Sequence, residues 1–397
     1  MRKTLLASAV AGALFSPLSH ADVYDARAMA RGGTGMTLGE YNQAIYNPAL
    51  INRFDDNDDF SFALNGGLIA SDKDGFIDAA DEFSDLIDEL EDSSGPVPQG
   101  TIDAAKLGLQ NMSDKLVQID AGGAVMIGIP AKRLPMAFVA KGKAAIGTAF
   151  VLDSRDINPD PYNNNNPDGT IGEIANDSAT ADDLLSEVAA SLLWTAEYGL
   201  MLGKGFDLGG LRIDGGAVLK AQTIELIAYQ DNAANFEADD ITDSDNLTSH
   251  TNVNVDLGAT TRLGSDGRFV LAGTIENLIP KSFDGPNGSE YDMAPVLTAG
   301  AGYDGSWFKA EASLDLTQRN GYDLLLDTQL ARLGIEFSAG RHLHLRAGYR
   351  TDLKSNVSDL MTAGLGITPW DRFNIDISGG VGEGETYAAA LQLGFKI

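Results

Sequence analysis

From Tyr387 to Ile397 apolar and small or polar residues alternate without a break. Tyr387, Ala389, Leu391, Leu393, Phe395 and Ile397 fall on one face, and Ala388, Ala390, Gln392, Gly394 and Lys396 on the other. Successive side chains of a strand point to opposite faces, so this is a strand with one apolar side. The pattern recurs over 253–263, 307–317 and 342–349. Short runs of this kind predict strands at about 58–70, 117–130, 135–151, 190–205, 210–228, 250–264, 268–280, 292–304, 306–318, 323–338, 341–352, 358–369, 371–380 and 386–397. That is about fourteen, an even number that lets a sheet close on itself. Alternation alone also fits a soluble β-sandwich with its apolar face turned inward.

The breaks between strands separate the two readings. Long breaks fall at about 72–115, 152–188, 230–249 and 281–291; short ones fall near 131–133, 206–210, 264–267, 304–306, 339–340 and 369–371. Antiparallel strands reverse at every turn, so alternate breaks lie at opposite ends. One elaborate end and one plain end is the asymmetry of an outer-membrane barrel. The fold class expected is all-β: a transmembrane antiparallel β-barrel over 58–397.

Within the long breaks the period changes. Phe76, Ile77, Ala80, Phe83, Leu86, Ile87 and Leu90 recur at helical spacing, as do Ile102, Ala105, Leu109, Met112 and Leu116. Leu184, Leu185, Val188 and Leu192 suggest a third helix. Two roles are open. The stripes pack on each other and cap the barrel, or they line an apolar groove in which Phe76, Phe83, Leu86 and Leu90 meet a hydrophobic ligand.

The first 21 residues read as an export signal. Arg2 and Lys3 precede a short apolar run from Leu5 to Phe15, and Ser19-His20-Ala21 is a small-x-small cleavage site. The run is too short to span a membrane, which takes about 20 apolar residues. Residues 22–57 are Gly-rich yet carry apolar and aromatic side chains, which suits an N-terminal plug in a lumen; the alternative is a disordered periplasmic leader.

Composition sharpens this. There are no cysteines, and the net charge of −29 excludes a nucleic-acid partner, which needs a basic surface. Loops 72–115, 152–188 and 230–249 carry 27 acidic and four basic residues, so net −23 sits at one end. Divalent cations at those acidic loops, and the lipid and lipopolysaccharide of a Gram-negative outer membrane, are the partners this implies. The strands place other charges on the face opposite the apolar one. Lys141, Lys143, Glu197, Arg212, Asp256, Arg262, Glu311, Asp315, Arg332, Glu336, His342, His344 and Arg346 are expected to form a polar network in the lumen, joined by Lys220, Lys309, Arg372, Asp214 and Asp376. Asp22, Asp25 and Glu40 of the 22–57 segment are expected to supply further carboxylates.

Enzyme signatures are absent. No nucleophile elbow and no phosphate loop occurs. His342-Leu343-His344 puts two imidazoles on one strand face, a pair able to bind a transition metal, but Arg346 and Arg350 continue that face as a polar stripe. Asn164-x-Asn166-x-Asp168-Gly169 starts like a calcium loop, but its twelfth position is Ala175 rather than Glu. No metal or cofactor is expected.

Arg31-Gly32-Gly33-Thr34-Gly35 followed by Asn47-Pro48-Ala49 resembles the N-terminal hatch signature of the FadL group of outer-membrane fatty-acid transporters. The stretches 272–280, 301–312, 333–337 and 345–349 resemble the FadL-related conjugal transfer TraF-type proteins. The resemblance spans 22–397, and it implies a fourteen-stranded barrel plugged by its N-terminal segment. From the transporters it implies passage of hydrophobic molecules gated at Asn47, Pro48 and Ala49. From the TraF-type branch it implies a link to conjugation, and so a structural or surface-interaction role without transport.

Overall fold

The computed structural model describes residues 25–397 except 55–57, 93–94, 114, 159–167, 234–240 and 242–243. The expected export signal lies outside the described residues. So do Asp22, Asn164 and Asn166.

Fourteen strands close into one antiparallel barrel. They are β1 (Ser61–Ser71), β2 (Leu116–Ile129), β3 (Met136–Val151), β4 (Glu187–Leu208), β5 (Leu211–Asn232), β6 (Leu247–Leu263), β7 (Phe269–Glu276), β10 (Val296–Asp304), β11 (Phe308–Asp315), β12 (Leu330–Ala339), β13 (Leu343–Asp352), β14 (Leu360–Ile367), β15 (Phe373–Gly382) and β16 (Thr386–Lys396). Between β7 and β10 a separate hairpin forms from β8 (Lys281–Asp284) and β9 (Glu290–Met293). Each wall strand pairs with the next in the chain, β7 pairs with β10, and β1 closes on β16 from Ser61↔Lys396 to Ala70↔Tyr387. Closure leaves no unpaired edge, which is the condition for strands to cross lipid.

The faces follow the alternation. On β16, Tyr387, Leu391 and Leu393 point outward and are 40–57% exposed, while Gln392 and Ala390 point inward and are buried. Leu333, Phe337, Leu345, Ile375 and Ile377 likewise cover the outside. An apolar exterior with a polar interior inverts a soluble sandwich and excludes it. Phe269, Tyr303, Trp307, Phe337, Trp370 and Phe373 form an aromatic band near the short-turn end. No described helix is long and apolar enough to cross a membrane.

At the other end lie the long loops. Helices α2 (Phe76–Glu91) and α3 (Gln99–Met112) occupy the first, and α4 (Gly169–Ile174) the second. Asp72 accepts hydrogen bonds from the backbone N–H of Phe76 (2.6 Å) and Ile77 (2.9 Å), satisfying two free donors at the start of α2. The third expected helix is absent. Val188 and Leu192 lie in β4, because a spacing of four residues satisfies the strand period of two as well as the helical one.

Several wall strands are shorter than their pattern, and two of them border segments that turn inward. The run 268–280 stops at Glu276, and the run 323–338 starts at Leu330. The residues left over fold inward. Phe283, Tyr291, Met293, Tyr322 and Leu325 are buried against Ala145, Leu193, Ile224 and Leu226 of the wall. That inner patch of β3–β5 is apolar, so it draws the β8–β9 hairpin and the 316–329 loop into the lumen rather than leaving them in the wall.

Residues 25–54 also lie within the barrel. The short helix α1 (Ala26–Met29) is capped by Asp25, whose carboxylate accepts from the N–H of Arg27 (2.7 Å) and Ala28 (3.0 Å). Tyr41, Ala44, Leu50 and Ile51 pack on Ala63, Met126, Val139, Met201 and Val218. The Thr37 N–H donates to Glu311 at 2.7 Å, and Asn52 donates to the Gly215 carbonyl at 2.9 Å.

Candidate functional site

The inward face of β3–β7 carries a connected set of charges. Lys220 Nζ lies 3.0 Å from Glu197 Oε1 and 2.9 Å from Asp256 Oδ1. Lys141 Nζ lies 2.9 Å from Glu197 and 3.9 Å from Asp256. Gln222 donates to Glu197 at 2.7 Å. Beside them Glu276 holds both Lys143 (3.3 Å) and Arg319 (2.8 Å). Further round, Arg332 grips Asp315 with two nitrogens (2.8 and 3.2 Å), and Arg346 bridges Glu336 and Asp376, each at 2.6 Å. Burying a charge is costly unless it is paired, and each of these charges has an ion-pair partner.

Of the residues expected in one network, nine take part in inward-facing ion pairs that form separate groups: Lys141, Glu197 and Asp256 in one, Lys143 with Glu276, Arg332 with Asp315, Arg346 with Glu336, and Glu311 with the N-terminal segment. Arg212 and Arg262 stand apart at the short-turn mouth. Their side chains are exposed and pair with Asp214 and Asp304. Arg372 is exposed as well. His342 and His344 do not converge: His342 Nδ1 sits 2.8 Å from the Thr368 carbonyl, and His344 Nδ1 sits 2.9 Å from Ser338 Oγ. Among the described residues no group of three or more potential ligands could hold a metal. Asp168 is tied to Lys106 of α3 at 3.0 Å.

The partners from the N-terminal segment differ from the expected ones. Asp25 caps α1, and it is Arg27 (3.6 Å from Asp376) and Arg31 (3.7 Å from Glu311) that meet the wall. The wall's inner carboxylates need cations, and the segment supplies them. Glu276 and Arg319 went unnoticed in the sequence. Glu276 shares the alternation of Thr274, but Arg319 reaches it only because 316–329 folds inward.

Asn47, Pro48 and Ala49 sit against the wall. Asn47 Oδ1 accepts from the Ala49 N–H (3.0 Å), starting the 3₁₀ turn Pro48–Asn52, and its Nδ2 donates to the Met36 carbonyl (3.0 Å). Gly216 and Gly258 make this approach possible. A Cβ on Gly216 would lie 2.1 Å from the Pro48 carbonyl carbon, and one on Gly258 2.0 Å from Asn47 Oδ1. On the outside of the same strands, Gly215, Ala259, Gly273 and Ala299 stand in register across β5, β6, β7 and β10. They floor an apolar exterior groove of about 730 Å³. Here the wall is little more than its backbone.

Phe76, Phe83, Leu86 and Leu90 face elsewhere. Phe76, Phe83 and Leu90 are buried, with Leu86 packed beside them, in a core shared with Ile102, Leu109, Met112, Ile157, Ile171 and Leu184. The stripes of α2 and α3 thus close on each other, and they line neither lumenal cavity.

Two cavities lie within the lumen. The inner chamber, about 80 Å³, lies between Met36, Ile45, Tyr46 and Pro48 of the N-terminal segment and Lys141, Asp256, Glu276, Asp315 and Arg332 of the wall. The outer cavity, about 90 Å³, opens among the loops and is lined by Ile69, Leu116, Leu193, Leu325, Leu326 and Arg350. Arg319 lines both. Around them burial pushes the Tyr291 hydroxyl up to about 12, against the pull of Arg319, and raises that of Tyr322, which bonds Ser289 at 2.8 Å.

With this geometry in view, residues 44–315 match the family described as "F plasmid transfer operon, TraF, protein". The match covers more than half of the 397 residues. The chain belongs to this family. Its fold is similar to that of solved barrels. A mutant TodX monoaromatic hydrocarbon channel aligns with a TM-score of 0.55 at 13% identity, covering 94% of this chain and 99% of the other. The P. putida toluene transporter TodX aligns at 0.52 and 11% identity (95% and 99%), and the CymD monoaromatic hydrocarbon channel at 0.52 and 10% (95% and 97%). No curated protein sequence matches.

Proposed function

We propose that this TraF-family chain is a non-catalytic conduit in the outer membrane of a Gram-negative bacterium. It carries small molecules with substantial apolar surface. One observation carries the reading: two cavities, both lined by Arg319, lie in the lumen beside residues 25–54 and the inward-folded loops. The likeness in fold to barrels described as hydrocarbon channels supports it. On this reading the N-terminal segment is the plug. Its Asn47-Pro48-Ala49 turn is the gate, since Pro48 lines the inner chamber and the turn packs on Gly216 and Gly258 of the wall, where no side chain stands behind it. The helices α2 and α3 act as a roof over the loop-rich end rather than as a ligand groove.

The test is uptake of a fluorescent apolar probe by cells lacking the protein and by cells complemented with wild type or with Asn47→Ala/Pro48→Ala. Protein-dependent uptake that changes in the double variant supports the conduit. A second reading, a surface component tied to conjugal transfer, draws on the family description and on the net charge of −23 in the acidic loops. Equal uptake with and without the protein, together with impaired plasmid transfer, would favour it.

A further inference from the structure

The inner chamber has two unlike halves. The N-terminal segment contributes Met36, Ile45, Tyr46 and Pro48, which are mostly apolar. The barrel wall and the inward-folded 316–329 loop contribute six charged side chains, three of each sign: Lys141, Arg332 and the loop's Arg319 against Asp256, Glu276 and Asp315. Thr298 and Ser313 add hydroxyls on the wall side, and Thr298 already donates to Asp315 at 2.9 Å. The charges balance and are engaged with one another, so the chamber carries no net charge to attract an ion.

A pure hydrocarbon entering this space would press against ionic groups and displace the water that solvates their free edges, with nothing in return. A charged solute would have to outcompete pairs already formed. A neutral molecule with one apolar face and one or two hydrogen-bonding groups satisfies both halves. The volume of about 80 Å³ is space for the equivalent of roughly six waters, which corresponds to a molecule of about six to ten heavy atoms.

We propose that the inner chamber is a selectivity site for small, uncharged amphiphiles, such as hydroxylated monoaromatic compounds, and that it passes them in preference to unsubstituted hydrocarbons. This rests on the conduit reading and narrows its substrate class. Arg319, the side chain shared by the two cavities, stands at the entrance to that site.

The test uses the full-length protein in lipid nanodiscs and ¹⁹F NMR with three probes of similar size: 4-fluorobenzyl alcohol, 4-fluorotoluene and 4-fluorobenzoate. The alcohol should bind at least about tenfold more tightly than the toluene, the ~1.4 kcal/mol of one net hydrogen bond. Thr298→Val/Ser313→Ala, which keeps the space but removes the hydroxyls, should bring that ratio toward one. Ser313→Phe, which fills the chamber, should abolish alcohol binding; if that variant does not fold, the hydroxyl-deleting pair still decides. Toluene binding as tightly as the alcohol, or benzoate binding best, overturns the proposed class and leaves the conduit standing. No protein-dependent binding of any probe overturns the conduit itself.

Discussion

Replacing Lys220 by Met removes one charge from the centre of the buried network. Lys220 and Glu197 are each 1% exposed, and Asp256 is 7% exposed. Two cations, Lys141 and Lys220, face two anions within 2.9–3.9 Å. At such distances each contact amounts to about 4–6 kcal/mol at an effective dielectric near 20. The desolvation of the ammonium opposes this, so the net loss expected is about 3–5 kcal/mol, the usual cost of leaving a buried partner unpaired. That is a large share of a stability of about 5–15 kcal/mol. Glu197→Gln added to Lys220→Met restores the balance of one cation and one anion, and the Gln222 contact at 2.7 Å remains available to the new amide oxygen. The double variant should recover at least about 2 kcal/mol, a coupling typical of groups in direct contact. Urea titration followed by heat-modifiable gel mobility, with the slope checked for constancy, reads the values. Costs below about 1 kcal/mol for each single change, or strictly additive effects, would refute the view that these charges hold one another inside the lumen.

Gly216→Val should displace the Asn47–Ala49 turn and raise entry of a small probe, because its first added carbon would meet Pro48 at 2.1 Å, whereas Gly273→Ala, whose nearest neighbour lies 3.9 Å away, should leave entry and stability unchanged. Asp72→Ala should cost about 1 kcal/mol by removing the bonds that start α2, read as faster proteolysis within 72–115 while the barrel keeps its heat-modifiable shift. Phe83→Ala should loosen the α2–α3 roof by about 3–5 kcal/mol, visible as local cleavage, and should leave binding in the lumenal cavities intact. Because the Tyr291 hydroxyl is pushed up to about 12 from 10, the folded hairpin keeps its proton where the unfolded chain would lose it; the stabilisation is full below pH 10 and fades between pH 10 and 12. Absorbance at 295 nm should show this late titration, and Tyr291→Phe should remove it.

The pattern of side chains along the chain carries the wall. A period of two needs only local sequence to be seen, and lipid outside with a filled lumen inside makes each strand's two faces unlike. Fourteen strands, their inward and outward residues, and the six plain turns could therefore be read from the sequence. So could most charges of the β3–β6 network, since Lys141, Glu197, Lys220 and Asp256 are inward-facing by parity. The ends of strands were less legible. Glu276 closes β7 and Leu330 opens β12 because Phe283, Tyr291, Tyr322 and Leu325 find an apolar partner inside the barrel, and alternation cannot show where a chain leaves its sheet.

Tertiary structure alone decided who meets whom. Arg319 reaches Glu276 across 43 residues, and Arg31 reaches Glu311 across 280, through loops and segments whose path no local pattern encodes. The helical stripes of α2 and α3 were plain in the sequence, but whether they faced each other or a ligand depended on the rigid placement of both ends of a long loop. Position along a strand determines direction, because the backbone enforces it. The contents of the lumen depend on which distant surfaces can bury their apolar area and neutralise their charges together, and that was settled only when the barrel closed.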